Sequence, residues 1–243
     1  MITLKKKYIL TLSAILMISL LSLNTSVFKT ATKSAYTSSQ LILKSNEQPN
    51  IIIDAGHGGE DGGASSASGI LEKDINLEIA LTLEKLLHQS GFNVVMIRNT
   101  DCSIHDESAN TTRERKVSDI KNRVEISNSD TDNILISIHQ NHFSENQYKG
   151  AQIFYSGNNI ESVKLAESIK TSVTSLLQPE NTRQCKEAEN IYLLDNTEVP
   201  AVIIECGFLS NPEEADLLAQ KDYRNSMAYS IYLGLLEYLY LNS

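Results

Sequence analysis

The sequence predicts an α/β fold: a single domain on a mainly parallel, twisted β-sheet of about six strands, with helices on both faces. Three observations carry this. Strand-like apolar runs alternate with helix-like segments from Asn50 onwards. The runs 50–54, 133–138 and 201–204 are continuous instead of alternating, which marks strands covered on both faces and hence paired in parallel. The 243 residues, 41% hydrophobic and 21% charged, suffice for one sizeable core.

The elements follow in order. Lys5, Lys6 and Lys7 precede an uncharged run from Tyr8 to Phe28, about 31 Å long if helical. Residues 1–33 read as a signal peptide or N-terminal membrane anchor. Lys29 and Lys33 interrupt the positions where a cleavage site would fall, which favours the anchor. Residues 34–49, rich in Ser, Thr, Gln and Asn, read as a linker, and 50–243 as the folded domain. "NIIID" (50–54) is the first strand. In 72–91, Ile75, Ile79, Ala80, Leu83, Leu86 and Leu87 recur at helical spacing, with Asp74 in the first turn and Gly91 at the C-terminal cap. "FNVVMIR" (92–98) is a strand, and Val117, Ile120 and Val124 share a helix face within 113–129. Strands at 133–139 and 150–156 follow, then a helix over 159–177 and short strands at 190–194 and 200–206. Asn211 caps a helix opened by Pro212, Glu213 and Glu214, and a last helix spans about 222–240.

Charge narrows the function. Residues 1–33 hold five lysines and no acid, so the remainder carries 16 basic and 30 acidic residues, a net charge of −14. So acidic a domain will not track a phosphate backbone, and nucleic acid is excluded as a partner. Cys102, Cys185 and Cys206 are too few, and odd in number, for a disulfide framework. A Cys102–Cys185 bridge has no support beyond parity, and Cys206 sits in an apolar run as a small buried residue.

Chemistry gathers at the carboxyl ends of the strands, where open parallel sheets place their sites. His57 follows the first strand, within "GHGGEDGG". His139 follows 133–138, and Glu205 ends 201–204. Glu72 stands where the glycine loop returns to the same edge. Two histidines and one carboxylate with an open fourth position form a catalytic zinc set, and a further glutamate can serve as general base. The expected metal ligands are therefore His57, Glu72 and His139 around one Zn²⁺, with Glu205 catalytic. Asn141 and His142 are expected to bind substrate. Glu60 and Asp61 are placed on the rim, His88 and His105 on the surface, and Arg98 and Arg123 in structural ion pairs, with contact to an acidic substrate as the alternative. The glycine loop is no phosphate loop: it lacks GK[ST], and Asp61 stands where the third glycine of G-x-G-x-x-G belongs.

Four stretches carry a family likeness: "IIIDAGHGGEDGGA", "LEKDINLEIA", "ISIHQN" and "PAVIIECGFLSNPEEADLL". Together and in this order they resemble the zinc-dependent N-acetylmuramoyl-L-alanine amidases of the bacterial cell wall, the amidase-3 type, from about Asn50 to Tyr240. The resemblance implies hydrolysis of the amide between the lactyl group of N-acetylmuramic acid and the L-alanine of the stem peptide. It matches the family's zinc ligands to His57, Glu72 and His139 and its catalytic glutamate to Glu205. Ala55, Gln140, His142 and Asp195 depart from the family's common residues, which bears on substrate preference and not on the metal set. Some relatives carry a helical plug before the catalytic glutamate. Here only 48 residues separate Ser156 from Glu205, so a built-in plug is not expected.

The lean layout, a short basic N-terminal segment and no wall-binding repeats, resembles the sporulation amidases that help to form muramic-δ-lactam in the spore cortex. That likeness implies an exported protein acting on peptidoglycan, a deacetylase in the same pathway, and room for an accessory or activating protein. Three rivals remain open at this level: a vegetative wall-remodelling amidase, a zinc carboxypeptidase acting within the stem peptide, and a wall-binding pseudoenzyme.

Overall fold

A computed structural model describes residues 48–241; the expected signal or anchor (1–33), and all but the last two residues of the expected linker (34–49), lie outside them. The strands are β1 (Asn50–Ala55), β2 (Val94–Met96), β3 (Asn133–Asn141), β4 (Gln152–Tyr155), β5 (Lys186–Glu187) and β6 (Ala201–Phe208). The helices are α1 (Glu72–Gln89), α2 (Thr112–Ser127), α3 (Glu161–Leu176), α4 (Tyr192–Asn196), α5 (Pro212–Ala219) and α6 (Lys221–Leu241). They form one six-stranded sheet in the order β2-β1-β3-β6-β4-β5. All neighbours are parallel except β4, which runs antiparallel to β6. The predicted α/β class and mainly parallel sheet are therefore observed.

The central strands explain the apolar runs. Ile51, Ile52 and Ile53 of β1, Leu135 and Ile136 of β3, and Val202 and Ile204 of β6 are all buried, because helices cover both faces. One face packs against α1 and α3, and α6 packs across both helices. The other packs against α2 and α4, where Ile52, Leu135, Leu193, Leu194, Ala201 and Ile203 form one cluster.

Caps follow local chemistry. Thr111 and Glu114 form a capping box at the start of α2. Asn211 accepts a hydrogen bond from the Glu214 backbone N–H beneath Pro212. Gly91, at φ +85°, closes α1 as the expected left-handed glycine.

One expected strand is corrected. Residues 190–194 are no strand: 192–196 form α4, whose Leu193 and Leu194 point into the core. A short apolar run satisfies either structure, and packing beneath α2 decided it. The edge strand is instead Lys186–Glu187, two exposed charged residues with no apolar signal. The three cysteines are unpaired, so no Cys102–Cys185 bridge forms. Burial pushes the Cys185 thiol up to about 12 and raises that of Cys206 as well, which leaves both inert.

Candidate active site

β1 stops at Ala55, paired with Ile138, while β3 and β6 run on together. His139 and Glu205 thus lie within paired strands, directly opposite each other in register, and not past the strand ends as the sequence suggested. A register shift follows between His139 and Asn141. Period-two alternation puts His139 and Glu205 on the α2–α4 face, with Leu135 and Ile203.

The glycine loop then crosses the open top of β1. His57 itself adopts φ +62°, a left-handed conformation costly for a residue with a Cβ and typical of functional sites. Gly63, at φ +67°, makes room on the return: a Cβ there would lie 2.5 Å from Glu72 Oε2 and 2.7 Å from the His57 ring. Gly56 does the same for His139, whose ring a Cβ would meet at 2.2 Å.

Three donors converge as a result. Glu72 Oε1 is 3.2 Å from His57 Nε2 and 2.9 Å from His139 Nδ1. This His57–Glu72–His139 set has its ligand atoms within 4.8 Å of one another. Glu72 is 3% exposed and firmly held. Its Oε2 accepts from the Ala64 N–H, and its Oε1 from the Gln140 N–H and the Asn76 amide. Burial opposes its charge, but His139 and His57 overcome this and hold the carboxyl well below the usual range.

Asp61 is not merely a rim residue. Its Oδ2 lies 2.8 Å from His57 Nδ1, while its Oδ1 accepts from Lys116. Burial disfavours a charge on His57, yet Asp61 and Glu72 push its pKa up to about 9. In the neutral ring the proton stays on Nδ1 facing Asp61, so the Nε2 lone pair faces the donor cluster. The signal was present in the sequence: a carboxylate four residues from a candidate ligand, on a loop able to turn back.

Arg98 and Arg123 hold the loop from behind. Arg98 donates to the carbonyls of Ala55, Gly56, Thr100 and Lys73. Arg123 donates to Asp54, Asp119 and the carbonyls of Ala55 and His57. Both are structural: Arg123 makes ion pairs, with Asp54 and Asp119, whereas Arg98, for which an ion pair was also expected, is held by carbonyls and makes no ion pair among the described residues.

Glu205 differs from every other acid here. Its Oε2 is buried without a hydrogen-bond partner among the described residues. Burial, reinforced by Glu72 and opposed by His139 and His57, pushes its pKa up to about 7. A folded pKa raised above the ordinary 4.5 means stability present below pH 4.5 and lost as pH rises through 7. Metal-free Glu205→Gln is therefore expected to be more stable than wild type at pH 8, by on the order of 3 kcal/mol, and equal to it near pH 4. Urea titration at both pH values checks this.

A cleft of about 580 Å³ opens beside His57 and His139. Its floor includes Ile120, Ile191 and Ile203, and its mouth carries Glu60, Arg115 and Lys116. His105, expected on the surface, lines the cleft and hydrogen-bonds Ser103. Asn141 and His142 do not line it. They sit at the far end of β3, where Asn141 Oδ1 accepts from the His142 N–H and His142 is exposed.

The donor set fits a metal, because two imidazoles and a carboxylate share one point, glycines clear the space around them, and a partnerless carboxylate stands alongside. Known proteins agree with the enzyme this suggests. The chain is 39% identical over 188 residues to the germination-specific N-acetylmuramoyl-L-alanine amidase of Bacillus subtilis, spanning 77% of this chain and 78% of that protein. It is 30% identical over 192 residues to a probable cell wall amidase, LytH, of Staphylococcus epidermidis, spanning 77% of this chain and 57% of that one. Among solved structures, the CwlD amidase of Clostridioides difficile in complex with the GerS lipoprotein superposes with a TM-score of 0.76 at 40% identity, covering 79% of this chain and 99% of that one. Residues 51–237 match the family described as N-acetylmuramoyl-L-alanine amidase, and the chain belongs to that family of enzymes.

Proposed function

We propose that this peptidoglycan amidase is a single-zinc enzyme of the spore cortex, with His57, Glu72 and His139 as ligands and Glu205 as general base. The convergence of the three donor atoms beside the partnerless Glu205 carboxylate carries the reading. Zinc bound there supplies Lewis-acid chemistry at the amide. Glu205 takes a proton from the attacking water, which its near-neutral pKa allows, and returns it to the departing nitrogen of L-alanine. Asp61 holds the His57 ring, and the Glu72 hydrogen bonds hold the carboxylate, so neither must be ordered at the moment of reaction.

Family membership argues against the carboxypeptidase, and the intact residue set against a pseudoenzyme. Likeness to a germination-specific amidase supports the cortex role, in which peptide removal precedes a deacetylase and lactam closure. Likeness to cell-wall amidases supports action outside the cytoplasm. Likeness to an amidase solved with a lipoprotein supports an accessory protein partner. Attachment through residues 1–33 belongs to the same proposal. No helix among the described residues is long and apolar enough to cross a membrane.

The test is digestion of purified peptidoglycan, with zinc measured in the same preparation. New L-alanine N-termini, peptide-free glycan and one zinc ion per chain are expected. Muramic acid that stays substituted would overturn the cleavage site, and full activity without zinc would overturn the metal. Peptide removal that yields no muramic lactam when a muramoyl deacetylase is added would overturn the cortex role. Asp61→Asn is expected to weaken zinc binding about 10- to 100-fold, read by competition with a chelator.

A further inference from the structure

Further along β6, and outside the lining of the cleft, lies a shelf of aromatic rings. Phe208 belongs to β6, three residues beyond Glu205, which is about 10 Å along a strand. Phe143 stacks on it, with centroids 5.6 Å apart and planes at 26°. Tyr148 lies 5.3 Å from Phe143 and 6.3 Å from Phe208. The Arg183 guanidinium packs 4.7 Å from the Phe208 ring.

Phe208 is fully buried, but Phe143 and Tyr148 remain 48% and 42% exposed. Their loop is nevertheless pinned. The Phe143 N–H donates to Ser210 Oγ, the Asn211 amide to the Asn146 carbonyl, and Glu214 accepts from both Gly150 and Phe208. Two rings held open to solvent on an anchored loop form a prepared surface.

We propose that Phe143 and Tyr148 form a stacking subsite for the glycan strand of the substrate. The proposal rests on the amidase reading. The scissile amide hangs from a sugar, so a bond placed at Glu205 puts that sugar's chain neighbours within a disaccharide's reach. The shelf lies outside the cleft lining, at the end of the strand that carries Glu205. Pyranose rings present faces of weakly positive C–H groups, which match the negative face of an aromatic ring. Stacking of this kind suits any sugar of the chain and needs no charge, in keeping with pyranose rings that are themselves neutral. Asn141, which pairs with Phe208 in register, and His142, which directly precedes Phe143, are left out by the cleft and stand beside the shelf, where polar groups can meet sugar hydroxyls.

The test uses the zinc-loaded chain with Phe143→Leu/Tyr148→Leu, which keeps apolar bulk and removes the rings; Phe143→Ala/Tyr148→Ala repeats it. Two readouts are paired. One is the ratio of kcat/KM on glycan chains longer than a disaccharide to that on a single muramoyl peptide. The other is binding of peptide-free glycan chains, which the enzyme cannot turn over. The ratio is expected to fall about tenfold, chiefly through KM, and glycan binding to weaken in step. An unchanged ratio with unchanged binding overturns the subsite and leaves the shelf to a protein partner. An equal loss on both substrates overturns it as well. Failure of wild type to cleave either substrate at the muramoyl amide would instead be failure of the amidase reading.

Discussion

Glu205→Gln is expected to bind one zinc ion and to release stem peptide roughly a thousandfold more slowly than wild type, within the 10²–10⁴ range of a lost general base. The amide keeps the shape of the side chain and removes its basicity. The structure separates this effect from damage to the fold. Glu205 Oε2 has no hydrogen-bond partner among the described residues, so no contact is lost on substitution. The proposed metal donors are those of His57, Glu72 and His139, so zinc content should not change. A dead enzyme with full zinc, and with metal-free stability at pH 8 no lower than wild type, is the expected combination. Substantial residual activity would remove Glu205 from the chemistry. Loss of zinc together with activity would make Glu205 a fourth ligand.

Arg123→Met is expected to destabilise the protein by about 3–5 kcal/mol, the cost of breaking a buried pair from one side. Asp54 is fully buried and Arg123 3% exposed. Asp54 accepts from Arg123 and from the Ser137 hydroxyl. Burial works against its charge, and Arg123 is the main influence holding its pKa below the ordinary value. Removing the guanidinium leaves an unpaired carboxylate in the core. Thermal unfolding should fall by about 10 °C or more. Arg123→Met combined with Asp54→Leu should recover much of the loss, because the charge is then gone from both sides. Zinc affinity should not recover with it. Arg123 also donates to the carbonyl of His57, 2.9 Å away, and that contact holds the strained residue in place. Recovery of stability and of zinc affinity together would reduce Arg123 to a packing residue. Arg123→Lys should behave more like Met than like Arg, since one ammonium cannot bridge Asp54, Asp119 and two carbonyls from a single plane.

Both predictions concern groups whose sequence context was informative in different degrees. Glu205 could be singled out because a carboxylate ending an apolar run has no packing explanation. Arg123 carried no such mark: on a charged helix it is one basic residue among several, and only the burial of Asp54 beneath α2 reveals its partner. Asp61 lies between these cases. Its spacing from His57 was visible, but the turn that brings Oδ2 to Nδ1 depends on a left-handed His57 that no residue-type preference foretells.

By itself the sequence determined the α/β class, the mainly parallel sheet and the edge at which His57, Glu72, His139 and Glu205 gather. These are matters of period and composition: continuous β-branched runs demand cover on both faces, and each polar residue that ends one is carried to the same side. The tertiary structure alone decided that His139 faces Glu205 in register and that Asp61 backs His57. It also decided that 190–194 bends into a helix, and that Phe143 and Tyr148 stack on a ring sixty residues away. A periodic pattern reports how far a stretch is buried. It does not encode strand register, side-chain rotamer or loop path, because those are settled by contacts between residues distant in the chain.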